Sequence, residues 1–297
     1  MVVPIIVSAP GSEDHAARLG KQLNVPVAEL EVRRFPDGEF YCRLHSDMRG
    51  RDVIVVSTLD NPTDKFLLVA FLAETARDLG AKRVGLVAPY LSFMRQDIRF
   101  HPGEGITSVY FAKLMSSLVD WLVTVDPHLH RHPSLAPLYK IPTAIARAAP
   151  AIGAWVKANV ASPILIGPDA ESAQWVSVVA KEIGAPHVVL EKIRRGDRDV
   201  SISQPNVVWG ERTPVIIDDI ISTGRTMLGA VEQVVAQGAP APICIGIHAV
   251  FADAVQETLM AAGASSVISC NTIKHGTNAI CVSQAVADTT RALMRAN

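Results

Sequence analysis

The segment VIIDDIISTGRTM, Val215 to Met227, sets two adjacent carboxylates, Asp218 and Asp219, behind a run of β-branched residues. Ser222, Thr223, Gly224, Arg225 and Thr226 follow at once. Val215–Ile217 reads as a buried strand with the acids at its carboxyl end, where ligands bind in open α/β sheets. The hydroxyl-rich turn then leads into a helix beginning near Met227. A helix start presents unpaired N–H groups and a positive dipole end, so it attracts phosphate. Gly224 would let the backbone approach an anion closely, and Ser222, Thr223 and Thr226 can donate hydrogen bonds. The carboxylates repel phosphate; they suit sugar hydroxyls, or a metal that bridges phosphates. The loop is therefore suited to a phosphorylated sugar. Ordinary helix capping explains one hydroxyl and leaves the acidic pair unexplained.

Five other stretches hold polar groups in places where chemistry could occur. RRFPDGEFYCRL (33–44) carries Phe35, Asp37 and Glu39 around a Pro-Asp-Gly turn, which on its own is ordinary turn chemistry. APYLSFMRQDIRF (88–100) brings Arg95, Gln96 and Asp97 after an expected strand. VTVDPHLHRH (123–132) crowds His128, His130 and His132 together. Alternate residues of an extended segment converge poorly on one ion, so zinc bound by these three is disfavoured. IGPDAES (166–172) places Asp169 after another strand, and LEKIRRGDRDV (190–200) is a basic run with Lys192 and Arg194. No GxxxxGK[ST] motif occurs, so a Walker loop is excluded as a phosphate cradle.

The elements that must position these residues alternate. Strands are expected at 3–8, 53–57, 83–88, 121–125, 163–167, 214–218 and 243–249. Helices are expected at 12–23, 64–79, 106–118, 171–183, 225–237 and 252–262. Such alternation predicts parallel α/β units. Residues 52–90 and 214–250 share one plan: buried strand, polar loop, helix ending in Gly-Ala, buried strand. An echo at about half the chain's length suggests a duplicated domain. The first copy reads STLDNPTDK where the second has the acidic pair and its hydroxyls, so the two loops have diverged. Pro142 and Pro150 bracket a junction, which divides the chain into domains at 1–145 and 146–297, with a C-terminal helix that can pack back on the first domain.

Bulk properties narrow the function classes. The hydrophobic share is 49%, as expected for parallel sheets buried on both faces. A net charge of −1 gives no electrostatic footprint for nucleic acid. No apolar run reaches the roughly 18–20 residues of a membrane helix. MVVPIIVSAPG reads as a first strand rather than a secretory signal. Cys42, Cys244, Cys270 and Cys281 show no CxxC spacing, which predicts buried free thiols in a reducing cytoplasm.

The 215–227 loop resembles the phosphoribosyl-pyrophosphate (PRPP) loop of type I phosphoribosyltransferases and PRPP synthetases. The other five segments, in order, are similar to those of the synthetases. The resemblance implies two tandem phosphoribosyltransferase-like α/β domains, each a mainly parallel sheet flanked by helices. It implies transfer of the β,γ-diphosphoryl group of MgATP to O1 of ribose 5-phosphate. Phe35, Asp37 and Glu39, with Arg95, Gln96 and Asp97, would bind ATP. Asp218, Asp219, Ser222, Thr223, Gly224, Arg225 and Thr226 would bind ribose 5-phosphate. His128 (or, with the histidines so crowded, His130) and Asp169 would hold Mg²⁺, and Lys192 and Arg194 would be catalytic. The resemblance further implies a dimer-based homo-oligomer, up to a hexamer, in the cytoplasm, with no nucleic-acid or membrane partner. Competing readings are a PRPP-consuming phosphoribosyltransferase and a non-catalytic regulatory paralogue. The chain departs from the family pattern in three respects: Glu171-Ser172 replaces a common Gly-Gly pair, Arg225 replaces a small residue, and the chain is slightly short.

Overall fold

The computed structural model describes residues 2–190, 192–195, 199–202, 209–252 and 254–296; for 192–195 and 199–202 the description is of the backbone. The chain divides into two compact units, Met1–Arg147 with Ser283–Asn297, and Ala148–Val282.

The first unit runs β1 (Ile5–Ser8), α1 (Glu13–Leu23), β2 (Leu30–Arg34), β3 (Phe40–Leu44), β4 (Asp52–Val56), α2 (Pro62–Asp78), β5 (Arg83–Ala88), α3 (Thr107–Leu118), β6 (Trp121–Val125) and β7 (Thr143–Ala146). Its main sheet has the order β1-β4-β5-β6-β7, and every pairing is parallel. Val53 to Val56 are fully buried, as expected of a strand covered on both faces. The second unit runs α4 (Ala149–Asn159), β8 (Pro163–Gly167), α5 (Ala173–Ile183), β9 (His187–Val189), β10 (Lys192–Arg195), β11 (Asp199–Ile202), β12 (Thr213–Ile221), α6 (Arg225–Ala236), β13 (Ile243–Ala249), α7 (Val255–Ala261), β14 (Ser266–Cys270) and β15 (Asn278–Ile280). Its sheet has the order β15-β14-β13-β12-β8-β9, again parallel throughout.

The two units repeat one topology. In the first, Val27 makes a parallel bridge to Ile6 on the outer side of β1, as β9 does on β8. The antiparallel hairpin β2–β3 then occupies the same place in the chain order as the ribbon β10–β11. Each unit continues with strand, helix, strand, helix and two further strands.

The expected 1–145/146–297 division changes at the C-terminus, because α8 (Ser283–Ala296) belongs to the first unit. Its buried stripe of Val286, Ala287 and Thr290 has helical spacing. α8 lies on α1, where the Gln22 side-chain amide donates to Gln284 at 3.2 Å and Arg291 donates to the Gln22 carbonyl at 2.7 Å. None of the four cysteines is in a disulfide; Cys244 and Cys270 are buried, Cys42 is half-buried and Cys281 is exposed. The expectation of buried thiols thus fails at Cys281, which follows β15 at the edge of its sheet.

Candidate functional site

The acidic loop differs from its expected form in one respect. β12 extends to Ile221 rather than ending at 218, so both acids lie inside the strand and not at its end. The alternation of a strand sends successive side chains to opposite faces. Asp219 is buried at 3% exposure while Asp218 is half-buried. Each carboxylate accepts from the following backbone amide: Asp218 from the Asp219 N–H at 3.0 Å, Asp219 from the Ile220 N–H at 2.7 Å. These bonds fix both carboxylates against the strand that carries them.

Gly224 is the residue before α6 and takes φ +71°. A Cβ there would sit 2.7 Å from Val255 Cγ1, so both backbone and packing require glycine. Ser222 anchors the turn by accepting at its carbonyl from the Ala252 N–H at 3.0 Å. Thr223 and Arg225 are exposed, and Ser222 and Thr226 are half-buried. The result is a helix start with hydroxyls around it and acids on the strand leading in. The first unit's copy of this loop also places a left-handed residue before its helix. Asn61 precedes α2 with φ +50°, in the place of Gly224. There Lys65 Nζ donates to Asp60 Oδ1 at 2.5 Å, so that copy neutralises its own charges.

Asp169 follows β8 and caps a short 3-10 helix, Ala170–Ser172. Its Oδ1 accepts from the Ser172 N–H at 3.1 Å, and Ser172 Oγ donates back to the Asp169 carbonyl at 2.5 Å. Ser172 is fully buried, and a Cβ at Gly167 would lie 2.5 Å from its hydroxyl. In place of a Gly-Gly pair, this chain uses a side-chain lock to hold Asp169. Asp169 and Ser172 thus satisfy each other's backbone groups as a capping box.

In the first unit, Phe35, Asp37 and Glu39 sit at the exposed tip of the β2–β3 hairpin. The Phe35 N–H donates to the Glu39 carbonyl at 2.8 Å, and Asp37 accepts from the Glu39 N–H at 3.1 Å. Gly38, at φ +92°, completes the turn. One hairpin face is apolar: Phe40 contacts Phe71 of α2 with ring centroids 5.2 Å apart. On the other face the Arg33 guanidinium lies 4.4 Å from the Tyr41 ring centroid and 5.7 Å from that of Phe35, a cation–π arrangement.

Arg95, Gln96 and Asp97 follow β5 and do not share one environment. Arg95 is exposed, Gln96 is half-buried and Asp97 is buried. Asp97 accepts from Arg131 Nη1 at 2.8 Å. Nothing local in the sequence points to Arg131, because the pair joins residues on two different loops. In the loop after β6, His128 Nδ1 and His130 Nε2 are 2.8 Å apart, so one imidazole donates to the other. Asp126 begins that loop, buried, with φ +27°, and accepts from Arg147 Nη1 at 2.9 Å. Lys192 and Arg194 fall on β10, where Lys192 pairs with Ile202 and Arg194 with Val200; their side chains lie outside the described structure.

Residues 4–118 match the family described as the N-terminal domain of ribose phosphate pyrophosphokinase, and residues 138–285 match the phosphoribosyl transferase domain. The ribose-phosphate pyrophosphokinase of Saccharolobus solfataricus is 36% identical over 273 residues, covering 91% of this chain and 93% of that protein. The chain belongs to the ribose-phosphate pyrophosphokinase family.

Other pyrophosphokinases agree over similar spans. That of Methanopyrus kandleri is 31% identical, over 91% of this chain and 93% of its own. The crystal structure of phosphoribosylpyrophosphate synthetase from Mycobacterium smegmatis covers 100% of both chains with a TM-score of 0.87 at 23% identity, which shows a shared fold. The expected α/β architecture of two phosphoribosyltransferase-like domains therefore holds.

Proposed function

We propose that this pyrophosphokinase divides its family reaction among the loops described above. The β,γ-diphosphoryl group of ATP passes to O1 of ribose 5-phosphate, giving PRPP and AMP. The observation that carries the assignment is the contrast between the two copies of one loop. In the second unit, β12 offers two carboxylates and α6 begins at a glycine-lined turn. In the first, Lys65 in the opening turn of α2 pairs with Asp60 of the corresponding loop, and no acidic pair precedes the helix.

Asp218 and Asp219 accept from the ribose 2- and 3-hydroxyls. Ser222, Thr223, Gly224, Arg225 and Thr226 hold the 5-phosphate through hydroxyls, amides and the start of α6. Phe35 stacks on the base of ATP, with Asp37 and Glu39 beside it on the hairpin, and Arg95, Gln96 and Asp97 serve the same nucleotide. Lys192 and Arg194 close over the transferring group, where a well-placed cation supplies roughly 3–4 kcal/mol of transition-state stabilisation. Such transfers depend on positioning and charge rather than on covalent catalysis.

The donor set fits Mg²⁺. Asp169 is a carboxylate fixed by its own capping box, and His128 is oriented by His130. A hard cation that keeps waters and phosphate oxygens as its other ligands needs few protein donors. When bound, magnesium neutralises developing phosphate charge. His128 and Asp169 would each serve as a ligand to magnesium.

A dimer-based homo-oligomer, up to a hexamer, fits the first unit's surface. Leu67 and Phe71 on α2, and Tyr110 and Leu114 on α3, are each about half exposed, and a second copy would cover them. Free cysteines accord with a cytoplasmic location. Among the described residues no helix is long and apolar enough to cross a membrane. A net charge of −1 favours no nucleic-acid partner.

Calorimetric titration of ribose 5-phosphate and of MgATP into Asp219→Asn tests the division of labour. A loss of at least about 10-fold is expected for the sugar phosphate, because a carboxylate accepts at both oxygens and an amide at one. A defect confined to ATP would assign the acids to the nucleotide instead.

A further inference from the structure

Asp97 is a buried carboxylate, and a buried charge is tolerated only when paired. Its partner, Arg131, has a side chain 42% exposed. The pair therefore has one end inside the first unit and one end at its surface. Arg131 Nη1 donates to Asp97 Oδ1 at 2.8 Å. The guanidinium also lies 5.5 Å from the ring centroid of Phe100, which is exposed. A guanidinium has five N–H donors. Those not directed at Asp97 make no hydrogen bond with the described residues.

The position matters as much as the pairing. Asp97 lies on the loop after β5, two residues from Arg95, and Arg131 lies on the loop after β6, one residue from His130. β5 and β6 are neighbours in the sheet, and both loops leave from carboxyl ends, where α/β sheets bind ligands. The ion pair ties these two loops together. The β5 loop is braced independently: Glu104 accepts from the Phe100 and His101 N–H groups at 2.7 and 3.0 Å, and Arg99 Nε donates to the Glu104 carbonyl at 2.8 Å. Phe100 is thus fixed by its own loop and gives the guanidinium a surface to lie on. An arginine locked by a buried acid and an aromatic face loses little side-chain entropy on meeting an anion.

The geometry points to Arg131 as a phosphate-binding residue for the nucleotide and to Asp97 as its positioning residue. The inference rests on the assignment of this end of the first unit to ATP, and it changes how Asp97 acts there. The carboxylate serves ATP through Arg131; a carboxylate placed directly on a triphosphate would repel it.

The test measures binding of MgATP and of adenosine, separately, to the full chain. Arg131→Ala should weaken MgATP at least 10-fold and leave adenosine within about 2-fold. Equal weakening of both would make Arg131 a support of the loop and overturn the inference, as would unchanged MgATP affinity. Asp97→Asn should weaken MgATP several-fold, and Asp97→Asn/Arg131→Ala should bind no worse than Arg131→Ala alone. Additive losses would mean that Asp97 acts without Arg131. The double variant leaves no uncompensated buried charge, so it preserves the test where Arg131→Ala alone unfolds. Phe35→Ala, measured alongside, separates the two levels of the argument. If it weakens MgATP while Arg131→Ala does not, only the role of Arg131 is lost; if neither does, the nucleotide assignment fails.

Discussion

Gly224 and Val255 meet so closely that a Cβ on the glycine would stand 2.7 Å from a valine methyl. The glycine also holds φ +71° at the first turn of α6. Gly224→Ala should cost about 2 kcal/mol or more of stability, from left-handed strain plus overpacking. It should also weaken ribose 5-phosphate more than ATP, since the turn that carries the phosphate must shift. Thermal melts and titration of each substrate check this. Unchanged sugar-phosphate affinity would remove the turn from the site.

Lys192→Ala should lower kcat about 10²-fold while changing ATP affinity much less, because its charge is needed mainly in the transition state. Steady-state kinetics with both substrates varied decide it. A defect in ATP affinity alone would make Lys192 a ground-state ligand.

Asp52 and Arg83 begin adjacent strands β4 and β5, far along those strands from the carboxyl-end loops. Arg83 donates to both carboxylate oxygens, at 2.9 and 2.7 Å, and these hydrogen bonds hold Asp52 below the usual carboxylate range despite its partial burial. A depressed folded pKa stabilises the protein at pH values above the unfolded carboxylate pKa, and that contribution is lost as pH falls through the folded pKa. Asp52→Asn should therefore lower stability near neutral pH by roughly 1–2 kcal/mol, with the difference from wild type shrinking below about pH 4. Denaturant melts across pH check the sign. A gap that widens in acid would contradict it.

Much of this architecture could be read in the sequence because the central strands are buried on both faces. The runs at 163–167 and 243–249 coincide with β8 and β13. The charges of Asp218 and Asp219 interrupt an apolar run, so the sequence alone ends this strand at 218, yet it continues through Ile220 and Ile221. The β2–β3 hairpin lies outside the expected strands, because two five-residue strands on either side of a Pro-Asp-Gly turn give too short a periodic run to stand out. The Asp97–Arg131 pair is a long-range contact, and no local pattern encodes it.

Phe35 lies at an exposed hairpin tip, where a neighbouring subunit could use it. Mixing Phe35→Ala with Asp219→Ala, each inactive for a different reason, should partly restore activity after subunit exchange. A mixed interface would then pair an intact Phe35 with an intact Asp219. No recovery, with exchange verified by mass, would confine the ATP site to one chain.

The most direct measurement is phosphorus NMR of the intact protein with ATP, Mg²⁺ and ribose 5-phosphate. Resonances of PRPP and AMP should grow together in equal amounts, and only when ribose 5-phosphate is present. ADP in place of AMP would mean transfer of a single phosphoryl group. Nucleotide cleavage indifferent to the sugar would mean hydrolysis. Either result would contradict the assignment of the Asp218–Thr226 loop to the acceptor of a diphosphoryl transfer.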